Sequence, residues 1–295
     1  MKKIVGLGAN VLDTLISCKD FPKEDTKMRA EKTSIIGGGP VGNALVVTSK
    51  LGLKTEMIGA FSDDTAGKRI LSELERFGID TSYAVSVPNT SAFVSFIILS
   101  EKDGSRTCVF DRGTVPDDPD ALSYDNIDEN TVLHLDGNYL KCALKAAEYA
   151  KSVGAKVSLD AGGLYEGISE LLPLVDILIP SSEFAMGITG KDSPKNAILA
   201  LQEKYSPEIL VVTDGANGGY YYENGCAHHY DSVKIKAIDT NGAGDTFHGA
   251  FVSAYCHGMN ISECCRFAGA VAAYKCQHFG AREYKLDMET AKGLL

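Results

Sequence analysis

The chain has 295 residues, of which 44% are hydrophobic and 23% are charged, so it is neither a disordered nor a collagen-like protein. Its net charge of -10 and its isoelectric point of about 5.1 disfavour a general affinity for nucleic acid or for anionic membrane surfaces. No stretch approaches the roughly 20 apolar residues that a membrane-spanning helix needs.

Short apolar segments alternate with helical patterns along most of the chain. The apolar segments are rich in Val, Ile and Leu, and they predict strands at 4–9, 55–60, 131–135, 156–160, 176–180 and 209–213. Amphipathic periodicity predicts helices at 65–77, 141–153 and 194–204. Such repeated βα units indicate one domain over residues 1–295, with a doubly wound, mostly parallel sheet flanked by helices.

Two stretches interrupt this alternation. Residues 12–36 carry Pro22, several charges and many β-branched side chains. Residues 90–112 have the pattern of a β-hairpin with its turn at Asp103-Gly104. We predict that these two segments form a small second sheet, a lid inserted into the α/β fold.

A glycine-rich segment follows the first of these stretches. Residues 37–44 read GGGPVGNA, and Gly37, Gly39 and Gly42 match the G-x-G-x-x-G spacing of dinucleotide sites. In those sites the motif follows the first strand, whereas here it comes about 30 residues later. We therefore favour a site where a small polar ligand approaches the backbone closely, with Asn43 offering a donor and an acceptor.

The most informative segment is 238–247, which reads IDTNGAGDTF. A strand is predicted before it at 233–237, and apolar residues recur after it at helical spacing. Glycines on both sides of an alanine allow a tight turn that presents successive N–H groups at a helix N-terminus, where anions bind. Gly242, Ala243 and Gly244 are therefore a candidate anion hole. Asp245 at its rim is a candidate general base, a helix N-cap, or both.

This arrangement suits phosphoryl transfer. A carboxylate at a helix N-terminus is expected to have a low pKa and to be a weak base. Phosphoryl transfer tolerates a weak base, because its transition state is loose and the attacking hydroxyl loses its proton late. The sequence contains no G-x4-G-K-[ST] motif, so a kinase of this sequence would not be a P-loop enzyme.

Together, Gly38-Gly39 with Asn43 and the segment from Asp239 to Asp245 resemble the two signatures of the ribokinase family, the PfkB carbohydrate kinases. The resemblance spans essentially the whole chain. Residues 21–25 with Arg29, and residues 104–107 with Asp111-Arg112, are similar to ketohexokinases in particular. It implies a ribokinase-like fold with a β lid that also mediates a homodimer. The implied activity is transfer of the γ-phosphate of ATP, with Mg²⁺, to a hydroxyl of a small sugar such as a ketohexose.

The resemblance also implies roles for individual residues. Asp245 would accept the proton of the sugar hydroxyl beside the anion hole of Gly242, Ala243 and Gly244. The implied sugar contacts are Asp13, Gly38, Gly39 and Asn43, and the implied nucleotide contacts are Thr213, Gly215, Gly218 and Gly280. Asp136 is a further candidate sugar contact, because it follows the strand at 131–135 and ligands of α/β proteins bind at the carboxyl ends of strands.

Cation sites are implied as well. Glu183 would hold Mg²⁺ through water, although residues 180–183 read PSSE where many members have N-x-x-E. Asp239 and Asn241 would hold a monovalent cation, K⁺. Pro40 stands where relatives that act on fructose typically have Asn, so that sugar contact is absent here.

The sequence also predicts a cellular compartment, and it leaves alternative functions open. The eight cysteines include no C-x-x-C pair and follow no leader peptide, which predicts a reducing cytoplasm. A nucleoside kinase of the same fold is the main alternative, with Phe93, Phe96 and Phe110 of the lid as candidates to stack on the base. An NAD-dependent dehydrogenase and a catalytically silent sugar sensor are more remote alternatives.

Overall fold

The computed structural model describes residues 2–102 and 105–295. Its strands are β1 (Lys3–Leu7), β2 (Val11–Cys18), β3 (Lys32–Gly38), β4 (Lys54–Ser62), β5 (Asp80–Val87), β6 (Val94–Ser100), β7 (Arg106–Asp111), β8 (Thr131–Leu135), β9 (Lys156–Ala161), β10 (Ile177–Pro180), β11 (Ile209–Thr213), β12 (Gly219–Glu223) and β13 (Cys226–Tyr230). Its helices are α1 (Pro40–Lys50), α2 (Thr65–Arg76), α3 (Leu140–Ser152), α4 (Ile168–Leu171), α5 (Ser182–Thr189), α6 (Pro194–Tyr205), α7 (Ala243–Cys256), α8 (Ile261–Cys276) and α9 (Met288–Lys292). Within the described ranges, no helix combines the length and the hydropathy needed to cross a membrane.

The larger sheet has nine strands in the order β13-β12-β11-β10-β9-β8-β1-β4-β5. Every neighbouring pair from β11 to β5 is parallel, and β12 and β13 add an antiparallel hairpin at one edge. Successive strand residues enter different apolar clusters, as Ile4 and Val5 of β1 do. Because helices cover both faces, both sets of side chains are buried. The predicted doubly wound sheet is confirmed.

Two predictions of strands need correction. The edge strand β5 was not predicted, because its residues are only partly buried and form no continuous apolar run. The strand predicted at 233–237 is wrong, since the structure has an irregular segment there. Val233, Lys234 and Ile235 all line one cleft, so the segment does not alternate between two faces as a pleated strand would.

The predicted second sheet is confirmed. It has four strands in the order β3-β2-β6-β7, with β2 and β6 parallel and the two outer pairs antiparallel. Its own buried cluster consists of Leu15, Ile36 and Ile97, far fewer residues than either cluster of the larger sheet. We call this four-stranded sheet the lid. The turn predicted at Asp103-Gly104 lies outside the described residues.

Helix α7 extends from the core of the larger sheet to a cleft beside the lid. It packs against α1 and α8, and most of its length after the first turn is buried in the core. Its N-terminus lies beside the carboxyl ends of β9 and β11, and it faces the lid across a cleft. This is the edge of a parallel sheet where ligands of α/β proteins bind.

Candidate active site

Two clefts meet at the N-terminus of α7. The first has a volume of about 490 Å³ and lies between the lid and the larger sheet. The second has a volume of about 360 Å³ and runs between the irregular segment 232–237 and helix α8. Thr213, Thr240, Ala243 and Gly244 line both clefts. A group bound at this helix end therefore contacts both spaces.

The turn before α7 has the conformation that the sequence predicts. Gly242 is the N-cap at φ 75°, and a Cβ there would lie 2.8 Å from the Cβ of Ala281. The N–H of Ala243 bonds to the carbonyl of Thr240 at 3.2 Å, whereas a Cβ on Gly244 would meet nothing within 4 Å. The first turn of a helix leaves N–H groups without an intrahelical acceptor. Here that turn opens onto the clefts, as the predicted anion hole requires.

Asp245 lies in the first turn of α7 and lines the first cleft. It is not the N-cap, because Gly242 occupies that position and no side chain caps the helix. Its Oδ2 accepts a hydrogen bond of 2.6 Å from the Nδ2 of Asn43. Burial and the nearby Asp160 carboxylate raise the pKa of Asp245, which Asn43 only partly offsets. The expected low pKa is therefore wrong, and this carboxylate is a stronger base than an exposed aspartate.

A buried arginine, which sequence reasoning missed, orients Asn43. Arg282 is fully buried, and its Nε donates to the Oδ1 of Asn43 at 2.7 Å. Because Oδ1 accepts from Arg282, the amide nitrogen of Asn43 faces Asp245. Nη2 of Arg282 donates to the carbonyl of Gly38 at 2.7 Å, and Nη1 lies 3.4 Å from Glu73. No motif around Arg282 signals this role.

The lid contributes Asp13, which is buried at the wall of the first cleft. Its Oδ1 accepts from the Oγ of Ser95 at 2.6 Å, and burial raises the pKa of Asp13 to about 6. A Cβ on Gly38 would lie 1.9 Å from Oδ2 of Asp13, so only glycine leaves room for this carboxylate. Gly39 has φ 90°, and a Cβ there would lie 2.4 Å from the carbonyl oxygen of Ala9. The structure thus brings Asp13, Gly38, Gly39 and Asn43 together.

A second carboxylate missed by sequence reasoning lies in the same cleft. Asp160 lies at the carboxyl end of β9, one residue before its last, and its Oδ1 lies 3.2 Å from Nε2 of the buried His248 on α7. Burial favours the neutral acid, but the interaction with His248 outweighs it and lowers the pKa of Asp160. The strand-end rule that selected Asp136 selects Asp160 equally, so this residue could have been found.

Several predicted site residues line neither cleft. Both oxygens of Asp136 accept from backbone N–H groups, those of Ala9 at 2.8 Å and Asn138 at 2.9 Å, so Asp136 braces a loop. Gly280 is buried, donates its N–H to Asp239 at 2.8 Å and does not line the second cleft. Glu183 is exposed in the first turn of α5 and lines neither cleft. By contrast, Thr213, Gly215 and Gly218 line the second cleft.

Few side chains along the two clefts could bind a metal ion directly. Among residues 2–102 and 105–295, no three His, Cys, Asp or Glu side chains converge in a cluster that could hold a metal ion. Mg²⁺ commonly keeps several waters and binds through substrate phosphates and one or two carboxylates. The single carboxylates Asp160 and Asp245 along the first cleft fit that mode of binding.

Comparison with known proteins agrees with this geometry. The sequence model of the pfkB family carbohydrate kinases matches residues 1–287. The chain is 27% identical to a nucleoside kinase of Methanothermobacter thermautotrophicus, over 92% of this chain and 89% of that one. It is 28% identical to a ribokinase of Haemophilus influenzae, over 95% of this chain and 94% of that one.

Solved structures give the same result. The structure of an Arabidopsis thaliana ribokinase, complexed with ribose and ATP, matches with a TM-score of 0.84 and 26% identity, over 100% of this chain and 99% of that one. These similarities identify the chain as a phosphotransferase that acts on an alcohol group. The chain belongs to the pfkB carbohydrate kinase family.

Proposed function

We propose that this protein is an ATP-dependent kinase that transfers the γ-phosphate of ATP to a hydroxyl, preferably a primary one, of a small sugar. The observation that carries the proposal is the position of Asp245 and the first turn of α7 at the junction of the two clefts. A phosphate at this junction is within reach of a donor bound in one cleft and an acceptor bound in the other.

The second cleft suits the nucleotide. Its walls are largely apolar and carry small residues, among them Gly269, Ala272 and Ala273 of α8, which leave room for a flat base. Thr213, Gly215 and Gly218 border the path from this cleft to α7. The similar Arabidopsis ribokinase was solved with ATP, which supports the same donor here. Mg²⁺ would be held by the phosphates and, through water, by a cleft carboxylate, and would neutralise phosphate charge.

The first cleft suits a polyhydroxyl acceptor. Asp13 and the amide of Asn43 provide acceptors and a donor for sugar hydroxyls. Asp245 would take the proton of the attacking hydroxyl, and the raised pKa of Asp245 assists that step. The N–H groups at the start of α7 would stabilise charge on the transferred oxygens.

The lid would cover the acceptor during transfer. Nη1 of Arg106 on β7 donates to Oγ1 of Thr240 at 3.0 Å, which links the lid to the loop that leads into the anion hole. This link supports a closed arrangement that excludes water, the competing phosphoryl acceptor.

A nucleoside is the second candidate acceptor. The rings of Phe93 and Phe110 lie 5.7 Å apart and both line the first cleft, whereas Phe96 is half exposed and does not. Two aromatic side chains can stack on a nucleobase, and a nucleoside kinase is among the relatives. A ketohexose remains a candidate among the sugars.

One assay tests the function and ranks the acceptors. ADP release would be measured with ATP and Mg²⁺ over a panel of pentoses, hexoses, ketoses, sugar acids and nucleosides, with an acceptor-free reaction as baseline. We expect one free sugar to exceed the baseline by a large factor. A nucleoside that outcompetes every sugar would favour the second candidate. Acceptor binding with no ADP release would indicate a silent sensor and contradict the proposal.

We also propose a cytoplasmic homodimer that associates through the lid. Val109 of β7 is 63% exposed and pairs with Phe96 of β6, which is 50% exposed, and neither side chain lines the first cleft. All eight cysteines are free thiols, which is consistent with a reducing compartment. Light scattering after gel filtration tests the assembly. A dimer that Val109→Asp converts to a monomer supports it, and a wild-type monomer contradicts it.

A further inference from the structure

The expected monovalent-cation site contains a positive charge of the protein's own. Lys275 lies at the end of α8, and its side chain is fully buried. Its Nζ donates to the backbone carbonyl of Asp239 at 2.8 Å and lies 4.0 Å from Oδ1 of the same residue. The Asp239 side chain is only 1% exposed. The ammonium and the carboxylate therefore form a pair shielded from solvent.

Hydrogen-bond donors already occupy the oxygens of Asp239, and this disfavours the binding of an added cation. Oδ1 accepts from the N–H of Asn241 and Oδ2 from the N–H of Gly280, both at 2.8 Å. The third oxygen, the backbone carbonyl, accepts from Lys275. A metal ion at these oxygens would face two N–H dipoles and an ammonium, all of which repel it. The residues expected to hold K⁺ thus do not fit that ion.

This pair lies directly behind the anion hole. Asp239 fixes the N–H of Asn241, and the chain then runs through Gly242 to the first turn of α7. The N–H groups of Ile238 and Asp239 bond to the carbonyl of Cys276, which anchors the same loop to the end of α8. An uncompensated Asp239 carboxylate at this place would repel a bound phosphate. The positive charge of Lys275 cancels that repulsion.

We propose that Lys275 is the built-in cation of the anion hole, so that this kinase needs no exchangeable monovalent cation. Lys275 lines neither cleft and acts as a positioning residue, through Asp239 and the loop at 239–244. This inference deepens the proposed function and rests on it for the kinetic part of its test. It also predicts a thermal-stability result that does not depend on catalysis.

The experiment compares the wild type with Lys275→Met in potassium chloride and in tetramethylammonium chloride at equal ionic strength. For the wild type, we expect the same kcat and the same unfolding temperature in both salts. For Lys275→Met in tetramethylammonium chloride, we expect kcat to fall about tenfold or more while KM for ATP changes little. Potassium should restore much of that kcat and raise the unfolding temperature of the variant, because it now binds the vacated position.

Lys151→Met is the matched control, because Lys151 also pairs with an aspartate, Asp176, but is exposed at the surface. It should respond to neither salt. Activation or thermal stabilisation of the wild type by potassium would overturn the proposal, and this comparison decides even if Lys275→Met fails to fold. A folded Lys275→Met whose lost activity potassium does not restore would also overturn it. If no acceptor is phosphorylated by any form, the proposed function fails, while the unfolding temperatures still test Lys275.

Discussion

The two walls of the first cleft are built differently. On the wall formed by the larger sheet, Asp245 and Asp160 are held by Asn43 and His248, which are buried in the main core. On the lid wall, the sheet has a small core of its own and β7 is exposed along its whole length. A well-packed wall keeps reacting groups in place, whereas a thinly packed sheet can move when substrate binds.

This difference suggests that the two walls have different roles in catalysis. We expect changes on the larger-sheet wall to lower kcat, since they disturb the groups proposed to carry out phosphoryl transfer. We expect changes on the lid wall mainly to raise KM for the acceptor. Single substitutions on each wall test this difference in roles.

Asp245→Asn should lower kcat by about 10²–10⁴-fold, because the amide cannot accept the proton of the hydroxyl. The affinity for ATP and the unfolding temperature should change little, since asparagine keeps the size of the side chain. Asp231→Asn is the control, because the Asp231 side chain is exposed to solvent. This variant should behave as the wild type. Steady-state kinetics and nucleotide titration measure both quantities. Near-normal kcat in Asp245→Asn would exclude its role as base.

Arg282→Met should lower kcat by about a hundredfold, because Asn43 is then free to turn away from Asp245. It should also reduce the free energy of unfolding by about 3–5 kcal/mol, since Glu73 loses its buried partner. Arg76→Met is a matched control, because Arg76 forms an ion pair with Glu283 at the surface. Its cost should be about 1 kcal/mol or less. Urea unfolding and steady-state kinetics would be measured for both variants. Equal effects of the two substitutions would contradict the proposed role of Arg282 in orienting Asn43.

Asp13→Asn should raise KM for the acceptor by about 10- to 100-fold, because charged hydrogen bonds to sugar hydroxyls are lost. The kcat at saturating acceptor should fall much less. Asp136→Asn tests whether Asp136 contacts the sugar. Because Asp136 lies outside the cleft, its replacement should leave KM for the acceptor unchanged. A KM effect of Asp136→Asn as large as that of Asp13→Asn would restore Asp136 as a sugar contact.

The pH dependence of the same residue gives an independent test. The pKa of Asp13 is about 6 in the folded protein against an ordinary 3.8, so the folded state binds the proton more tightly than the unfolded state does. The contribution of Asp13 to stability therefore decreases as pH rises from about 4 to 6. Over the upper part of this range kcat/KM for the acceptor should increase, because the ionised carboxylate forms. Asp13→Asn should lose the dependence of stability, which urea unfolding at several pH values measures.

Arg106→Gln should have the smallest effect, about a two- to fivefold rise in KM for the acceptor. Its hydrogen bond to Thr240 is exposed, and exposed polar contacts contribute at most about 1 kcal/mol. A loss in kcat as large as the loss in kcat/KM would show that the lid also takes part in the chemical step.

The parts that sequence predicted and the parts it missed differ in the range of their interactions. Strands β8 and β11 have the predicted bounds because their own apolar residues specify burial on both faces. The turn at Gly242 was predictable because only local backbone geometry is needed. Arg282 and Lys275 act through partners far away in sequence, Asn43 and Asp239, and nothing near either residue marks it. The raised pKa of Asp245 likewise depends on burial by distant segments.

The stereochemistry of transfer at the γ-phosphorus of ATP tests the central proposal most directly. ATP made chiral at that phosphorus with oxygen isotopes would be incubated with the enzyme and its best acceptor, and the product configuration would be determined. Direct transfer from one cleft to the other, with Asp245 acting only as a base, predicts inversion. Retention would mean that a side chain such as Asp245 or His248 is phosphorylated first, and it would contradict the proposed mechanism.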